Sequence, residues 1–306
     1  MLSAAFVAIS VVCISIGLGY FGYIDFIVPA FTGIILLKCD FKYTILSCIT
    51  SLILIIFIVG DLSSGIMMSQ SMILGIVITY FIKRDGSIFD DLFYSSIAAC
   101  IVVISIDINF SVLTGYSFLR ESRDYLQVLP PIYEQYKHII LYLSVACIPV
   151  GTVIIGYIAT LMLSNKFKIE HSCIIKKWKI IKSFKKCGAL VSCSRKSIYV
   201  GIIGLAIILL INNFVLRDKY TYIAILFNSI KYIILFFIIQ DSFGLVNKFM
   251  YSIINSRSKF IIYQLISIYF LIICFKTTSI IMVTLNLYLD YKFNLKLKYK
   301  SILNNL

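Results

Sequence analysis

The sequence predicts an all-α fold, a polytopic transmembrane helical bundle of about ten helices with both termini cytoplasmic. Three observations lead there. Apolar residues make up 60% of the 306-residue chain and charged residues only 14%, with a mean hydropathy of +0.98; runs of that character need lipid around them. The runs recur along the whole chain, separated by short polar stretches. The net charge of +14 sits in those stretches and in the tail, where it reads as topology before it reads as nucleic-acid binding, because anionic inner lipid surfaces attract it. No nucleic acid is expected among the partners.

The reference point for orientation is the segment from Lys166 to Lys196. In it Lys166, Lys168, Lys176, Lys177, Lys179, Lys182, Lys185, Lys186, Arg195 and Lys196 stand against one acid, Glu170. Such a stretch resists translocation, so it is assigned to the cytoplasm and every other loop is counted from it.

Before this segment, spans are placed at residues 2–21, 23–37, 41–60, 65–82, 90–110 and 138–163. The start MLSAAFVAIS lacks a basic n-region, so the first run is expected to remain as a helix. Its Ala4-x-x-x-Ala8 pair would let another helix approach closely and is taken as a candidate partner contact. The second run is short, which leaves room for a tilted or re-entrant helix. The count puts Lys38, Lys42, Lys83 and Arg84 inside and Asp61 outside. It also puts Ser111 to Lys137 outside, where Pro130-Pro131 breaks the chain and mixed charge marks either an external amphipathic piece over the bundle or a solvated loop.

After the segment, spans are placed at residues 197–216, 220–240, 258–275 and 277–290. Arg217 and Lys219 then fall outside, while Lys248, Arg257, Lys259 and the tail lysines Lys292, Lys296, Lys298 and Lys300 fall inside. A nine-helix alternative takes residues 258–290 as one span and would carry that basic tail to the outer side, against the positive-inside rule. The expected organisation is a six-helix half over residues 1–163, a basic cytoplasmic amphipathic loop over 164–196, and a four-helix half with a basic tail over 197–306. In the middle part Ile174, Ile175, Trp178 and Ile181 recur at helical spacing with lysines between them. That is the pattern of a helix in the membrane interface, with Lys176, Lys177, Trp178, Lys182 and Lys186 meeting anionic lipid at the cytoplasmic face or a partner.

Catalytic signals are sparse. The two histidines, His138 and His171, belong to no Ser/His/Asp arrangement. His171, Cys173, Cys187 and Cys193 lack the paired Cys-x-x-Cys of a zinc site, so no metal is expected. The nine cysteines fall mostly in apolar runs or in the basic loop, and no disulfide framework is expected. No Gly-rich phosphate loop precedes a helix, so an energising ATPase would be another chain. The chain therefore reads as a non-enzyme without a cofactor; an enzyme acting on lipid-linked substrates would rest on scattered aspartates alone.

Ionisable groups at membrane depth carry more information, because each is expensive in hydrocarbon unless it faces a polar cavity or a partner. Lys231 lies three residues after Asn228 on one helix face, with Asp241, Asp107 or Asp290 as the expected counter-charge. If the helix extends to about Met250, Lys231 instead snorkels outward. Asp25 beside Pro29, Asp107 with Asn109, and Gln70 are the candidates for an outward-facing pocket; alternatively the acids are helix-end residues in water. The candidate ligand set is thus Asp25, Gln70, Asp107, Asn109, Asn228 and Lys231.

Several of these stretches resemble the YybS family of bacterial membrane proteins. Asn228 and the run into Ile239-Gln240, the closing Asn286-Leu-Tyr-Leu-Asp290-Tyr-Lys292, Pro29-Ala-Phe-Thr-Gly33 followed by Lys38, and Gly75 followed by Lys83-Arg84 occupy comparable places. Where that family has a glycine after the glutamine, this chain has Asp241. The first six helices also look like the substrate-capture subunits of vitamin-importing energy-coupling-factor systems, which implies a first helix that meets a coupling module through small residues.

Two functions of different class follow as expectations. One is a multi-pass cell-membrane protein that binds a small molecule or takes part in transport. The other is a non-transporting membrane scaffold of the cell envelope, division or sporulation machinery, holding another membrane protein through the basic loop.

Overall fold

The structure, a computed structural model, describes residues 2–17, 26–128, 130–184, 188–214, 221–254 and 256–304. Among the described residues the chain forms thirteen α-helices and no strand. They are α1 (Leu2–Ser15), α2 (Val28–Lys38), α3 (Phe41–Val59), α4 (Leu62–Lys83), α5 (Ile88–Thr114), α6 (Phe118–Gln127), α7 (Lys137–Lys166), α8 (Ser172–Lys182), α9 (Arg195–Phe214), α10 (Tyr222–Ile253), α11 (Arg257–Ile273), α12 (Phe275–Phe293) and α13 (Leu295–Asn304). The expected spans coincide with α1 to α5, α7 and α9 to α12, with α10 running well past the expected end at residue 240.

Local signals account for the helix ends. Asp61 accepts from the backbone N–H groups of Ser63 and Ser64 at the start of α4, and the hydroxyls of Ser87, Ser117 and Thr221 cap α5, α6 and α10 in the same way. Gly60 and Gly115 take left-handed conformations that close α3 and α5.

The side chains are sorted for lipid. Helix α3 buries Thr44, Ser51 and Ile55 while exposing Leu46, Ile53, Leu54, Phe57 and Ile58. In water that distribution would be reversed, because apolar surface is what burial removes. Among the described residues six segments are long and apolar enough to cross a membrane, formed by α3, α4, α5, α7 with its preceding turn, α9 and α10; α1 and α2 are apolar but shorter. The chain is a multi-pass membrane protein.

Helix directions follow from pairwise contacts. A Cβ on Gly75 of α4 would stand 2.4 Å from the Pro29 carbonyl oxygen of α2, and one on Gly33 of α2 would stand 2.5 Å from Thr79 Oγ1 of α4. The two helices therefore run side by side in the same direction at a separation that only these glycines allow. Lys83 Nζ closes the joint by donating to the Leu36 carbonyl at 2.8 Å. Ser3 and Ser47 meet at 2.7 Å, which sets α1 beside α3. Asn212 of α9 meets Asn228 near the start of α10, whereas Gly201 near the start of α9 faces Ile238, so these two helices are antiparallel.

Residues 257–293 fold as two helices. Thr278 Oγ1 donates to the Phe270 carbonyl, eight residues back, at 3.0 Å. Along a continuous helix those residues would be about 12 Å apart, so the chain reverses at Cys274. Helix α12 then returns parallel to α10, with Asn286 at Asp241 and Ser242 and with Phe293 against Phe249.

All these directions bring the ends of α2, α4, α7, α10 and α12, the starts of α1, α3, α5, α9 and α11, and the helices α8 and α13 to one end of the bundle, the basic end. Helix α6 lies at the other. The largest core cluster draws on α5, α6, α7, α9 and α10, through Phe93, Leu119, Leu141, Ile208 and Phe237; the expected halves thus share a core.

Candidate functional site

At the basic end four buried carboxylates tie the connecting segments to the bundle. Asp90 and Asp91 stand in the first turn of α5, where acids suit the helix dipole. Being adjacent, they diverge around the helix and serve two different neighbours. Asp91 Oδ2 accepts from Tyr157 Oη of α7 at 2.7 Å and from Lys177 Nζ of α8 at 2.7 Å. The same ammonium donates to the carbonyls of Ile82 at 2.8 Å and Arg84 at 2.6 Å, which end α4. All three donors of Lys177 are thereby occupied, and α8 is locked onto the negative end of α4. Asp90 Oδ1 accepts from the Ser194 backbone N–H at 2.8 Å, holding the entry to α9.

The second pair is on α10 and α12. Asp241, whose side chain is fully buried, accepts from Cys193 N at 2.6 Å, Asn286 Nδ2 at 3.0 Å and Lys296 Nζ at 2.7 Å. Lys296 also donates to the Cys193 carbonyl at 2.9 Å, so α13, the entry to α9 and the inner part of α10 meet at one carboxylate. Asp290 accepts from Arg195 Nε and from Lys296 N. Burial pushes the Cys193 thiol well above its ordinary value, which keeps it protonated and unreactive.

Between these anchors lies a cavity of about 640 Å³. Its walls come from the α4–α5 turn, α8, residues 190–197 and α13. Six basic residues line it, Arg84, Lys176, Lys177, Arg195, Lys196 and Lys296, against Asp85, Asp90 and Asp91. Lys177, Arg195 and Lys296 are held in ion pairs, whereas Arg84, Lys176 and Lys196 have no acid within ion-pair distance among the described residues. Ile88, Ile180, Leu190, Val191 and Leu297 supply apolar wall. The volume and the mixed lining are those of small-molecule sites.

The described residues expected at an outer pocket lie apart from this cavity. Asp25 lies outside the described residues. Asp107 accepts from the Ser117 hydroxyl at 2.8 Å and the Phe118 N–H at 2.7 Å, so it tethers α6. Asn109 is exposed on another face of α5 and bonds the Ser105 carbonyl. Gln70 is half-buried in the middle of α4, and neither it nor Asp107 lines the cavity.

Lys231 and Asn228 do lie together, at 3.0 Å, with Asn212 of α9 joining them. The expected counter-charge is corrected, however: Asp241 and Asp290 pair with Lys296 and Arg195, and Asp107 holds α6. Lys231 rests instead over the Tyr232 ring.

Helix α8 exists where the spacing places it, but with a different face inward. Ile174, Lys177 and Ile180 are buried and Ile175 is exposed. Lys177, only 4% exposed, is an internal tie and is not available to lipid. Lys182 is exposed, Lys176 and Trp178 are half-buried, and Lys186 lies outside the described residues. Ala4 and Ala8 are exposed on α1, opposite the buried Phe6, Val7 and Ser10.

Sequence reasoning passed over Asp90, Asp91, Tyr157 and the pairing of Lys296. A signal was present in the adjacent acids at a helix start, each able to face a separate neighbour.

Residues 4–137 match the model of a family described as predicted membrane protein (DUF2232), in agreement with the resemblance drawn from Pro29–Gly33 and Gly75. That stretch holds the α2–α4 joint and the α5 carboxylates Asp90 and Asp91. No curated protein and no solved structure matches the chain.

Proposed function

We propose that this multi-pass membrane protein binds a small molecule in the basic-end cavity, which opens at the cytoplasmic face of the cell membrane, and that it serves binding or transport without chemistry of its own. The observation that carries the reading is the cavity itself, about 640 Å³ with three cations that the bundle does not neutralise. The orientation draws on the gathering of Lys38, Lys83, Arg84, α8 and Lys296 at one end.

The test is thermal unfolding of the purified chain against vitamins, nucleosides, metal ions and phosphorylated metabolites, since a ligand of the folded state raises apparent stability by mass action. A saturable rise that Ser192→Trp in the cavity wall abolishes is the expected result. No rise with any compound would refute the reading.

The scaffold alternative draws on α11, of which only Ser267 is buried while Ile261, Ile262, Leu265 and Ile266 are exposed. Native-membrane purification separates the two readings: a co-purifying protein lost on charge substitution along this face favours the scaffold, and a co-purifying small molecule favours binding.

A further inference from the structure

We propose that the ligand of this cavity carries a phosphate ester, recognised by Arg84, Lys176 and Lys196; the inference rests on the binding reading above. Three of the six lining cations are occupied within the protein, Lys177 by Asp91 and two carbonyls, Lys296 by Asp241 and the Cys193 carbonyl, and Arg195 by Asp290. Of the three acids, Asp91 is neutralised by Lys177, and Asp90 sits between the starts of α5 and α9, whose dipoles offset it. Among the described lining residues Arg84, Lys176 and Lys196 are then left with Asp85. The surplus is about two positive charges, which is the charge of a phosphate monoester with opposite sign.

The arrangement also fits in kind. The Arg84 guanidinium stands 5.9 Å from the ring centroids of Tyr80 and Phe81, and its fork of donors is of the kind that takes a phosphate through two bonds. A metal ion or an ammonium group would meet that surplus of positive charge. The apolar wall of Ile88, Ile180, Val191 and Leu297 gives the remainder of such a ligand somewhere to lie. A phosphate ester of this kind comes either from a lipid headgroup at the inner leaflet or from a soluble phosphorylated compound.

The experiment uses the full chain in phosphatidylcholine nanodiscs, with titration calorimetry and thermal unfolding against dodecyl phosphate, phenyl phosphate, dodecanol and phenol. Either phosphate binding well above its parent alcohol supports the inference; preference for dodecyl phosphate assigns the ligand to lipid, and preference for phenyl phosphate to a soluble compound. Arg84→Gln, Lys176→Gln and Lys196→Gln should each weaken binding by about tenfold or more, the loss of one charge-assisted hydrogen bond, and Arg84→Lys should weaken it less than Arg84→Gln. Lys42→Gln and Lys259→Gln, at the same end but outside the cavity, should leave it unchanged.

Equal loss in those controls, or equal binding of the alcohols, would overturn the inference. A stabilising compound without phosphate, insensitive to the three cavity variants, would overturn it while leaving the cavity reading in place. Absence of any stabilising compound would remove both.

Discussion

Replacing Lys296 and Asp241 together should destabilise the protein by less than the sum of the two single replacements. Lys296 gives Asp241 its only ion pair among the described residues, at 2.7 Å, with both side chains nearly inaccessible. Breaking a buried pair by removing one partner costs about 3–5 kcal/mol, because it strands the other charge. Asp241 keeps its bonds from Cys193 N and Asn286 Nδ2, which places Lys296→Met near the lower end, about 3 kcal/mol. Asp241→Asn strands the ammonium on one carbonyl and should cost at least as much. In the Asp241→Asn/Lys296→Met double variant no charge is left buried, so the two losses should not add, and the cycle should return a coupling of about 2 kcal/mol. By the usual scaling, 3 kcal/mol lowers the melting temperature by roughly 6–12 °C. The assay is thermal unfolding of the four proteins in one detergent, followed by fluorescence-detected size exclusion. Strictly additive losses, or a Lys296→Met protein that melts with wild type, would refute the picture of a buried, mutually dependent pair.

Lys177→Met should cost about 3–5 kcal/mol, since it leaves Asp91 without its cation, while Lys176→Met next to it should stay within about 0.5 kcal/mol; thermal unfolding of the two side by side decides. Gly75→Val should cost at least about 1–3 kcal/mol, because its Cβ meets the Pro29 carbonyl, and Gly204→Ala, facing only the mobile end of Ile234 at 3.3 Å, should be tolerated; yields and melting temperatures report both. At Asp61 the Ser64 hydroxyl and the Ser63 and Ser64 N–H groups hold the carboxyl below its usual range. A lowered carboxylate pKa stabilises the fold above the unfolded value and ceases to do so as pH falls through the folded one. Asp61→Ala should therefore be less stable by about 1 kcal/mol at neutral pH, and the gap should close as the pH is taken below about 3.9.

The helices were legible because a span is written into consecutive residues: apolar runs, Gly60 and Gly115 at their ends, and Asp61 or Ser87 at their starts. Which face of α8 turns inward was not legible. Spacing favours Ile175 and Trp178, but the decision is made by Asp91 and the carbonyls ending α4, far away in the chain, which draw Lys177 in and leave Ile175 outside. In the same way Lys296 reads as one of several tail lysines until Asp241 singles it out. The candidate site moved from the outer to the basic end for this reason: its residues are joined by long-range ion pairs, which leave no periodic trace.

Those same ion pairs give the protein a schedule. Asp241 precedes Lys296 by 55 residues, an interval of roughly 3–11 seconds at ordinary rates of translation. During that time the carboxylate lacks the ammonium that later satisfies it, with Asn286 also still to come. A nascent chain that has not reached residue 296 thus carries an unpaired carboxylate at the basic end.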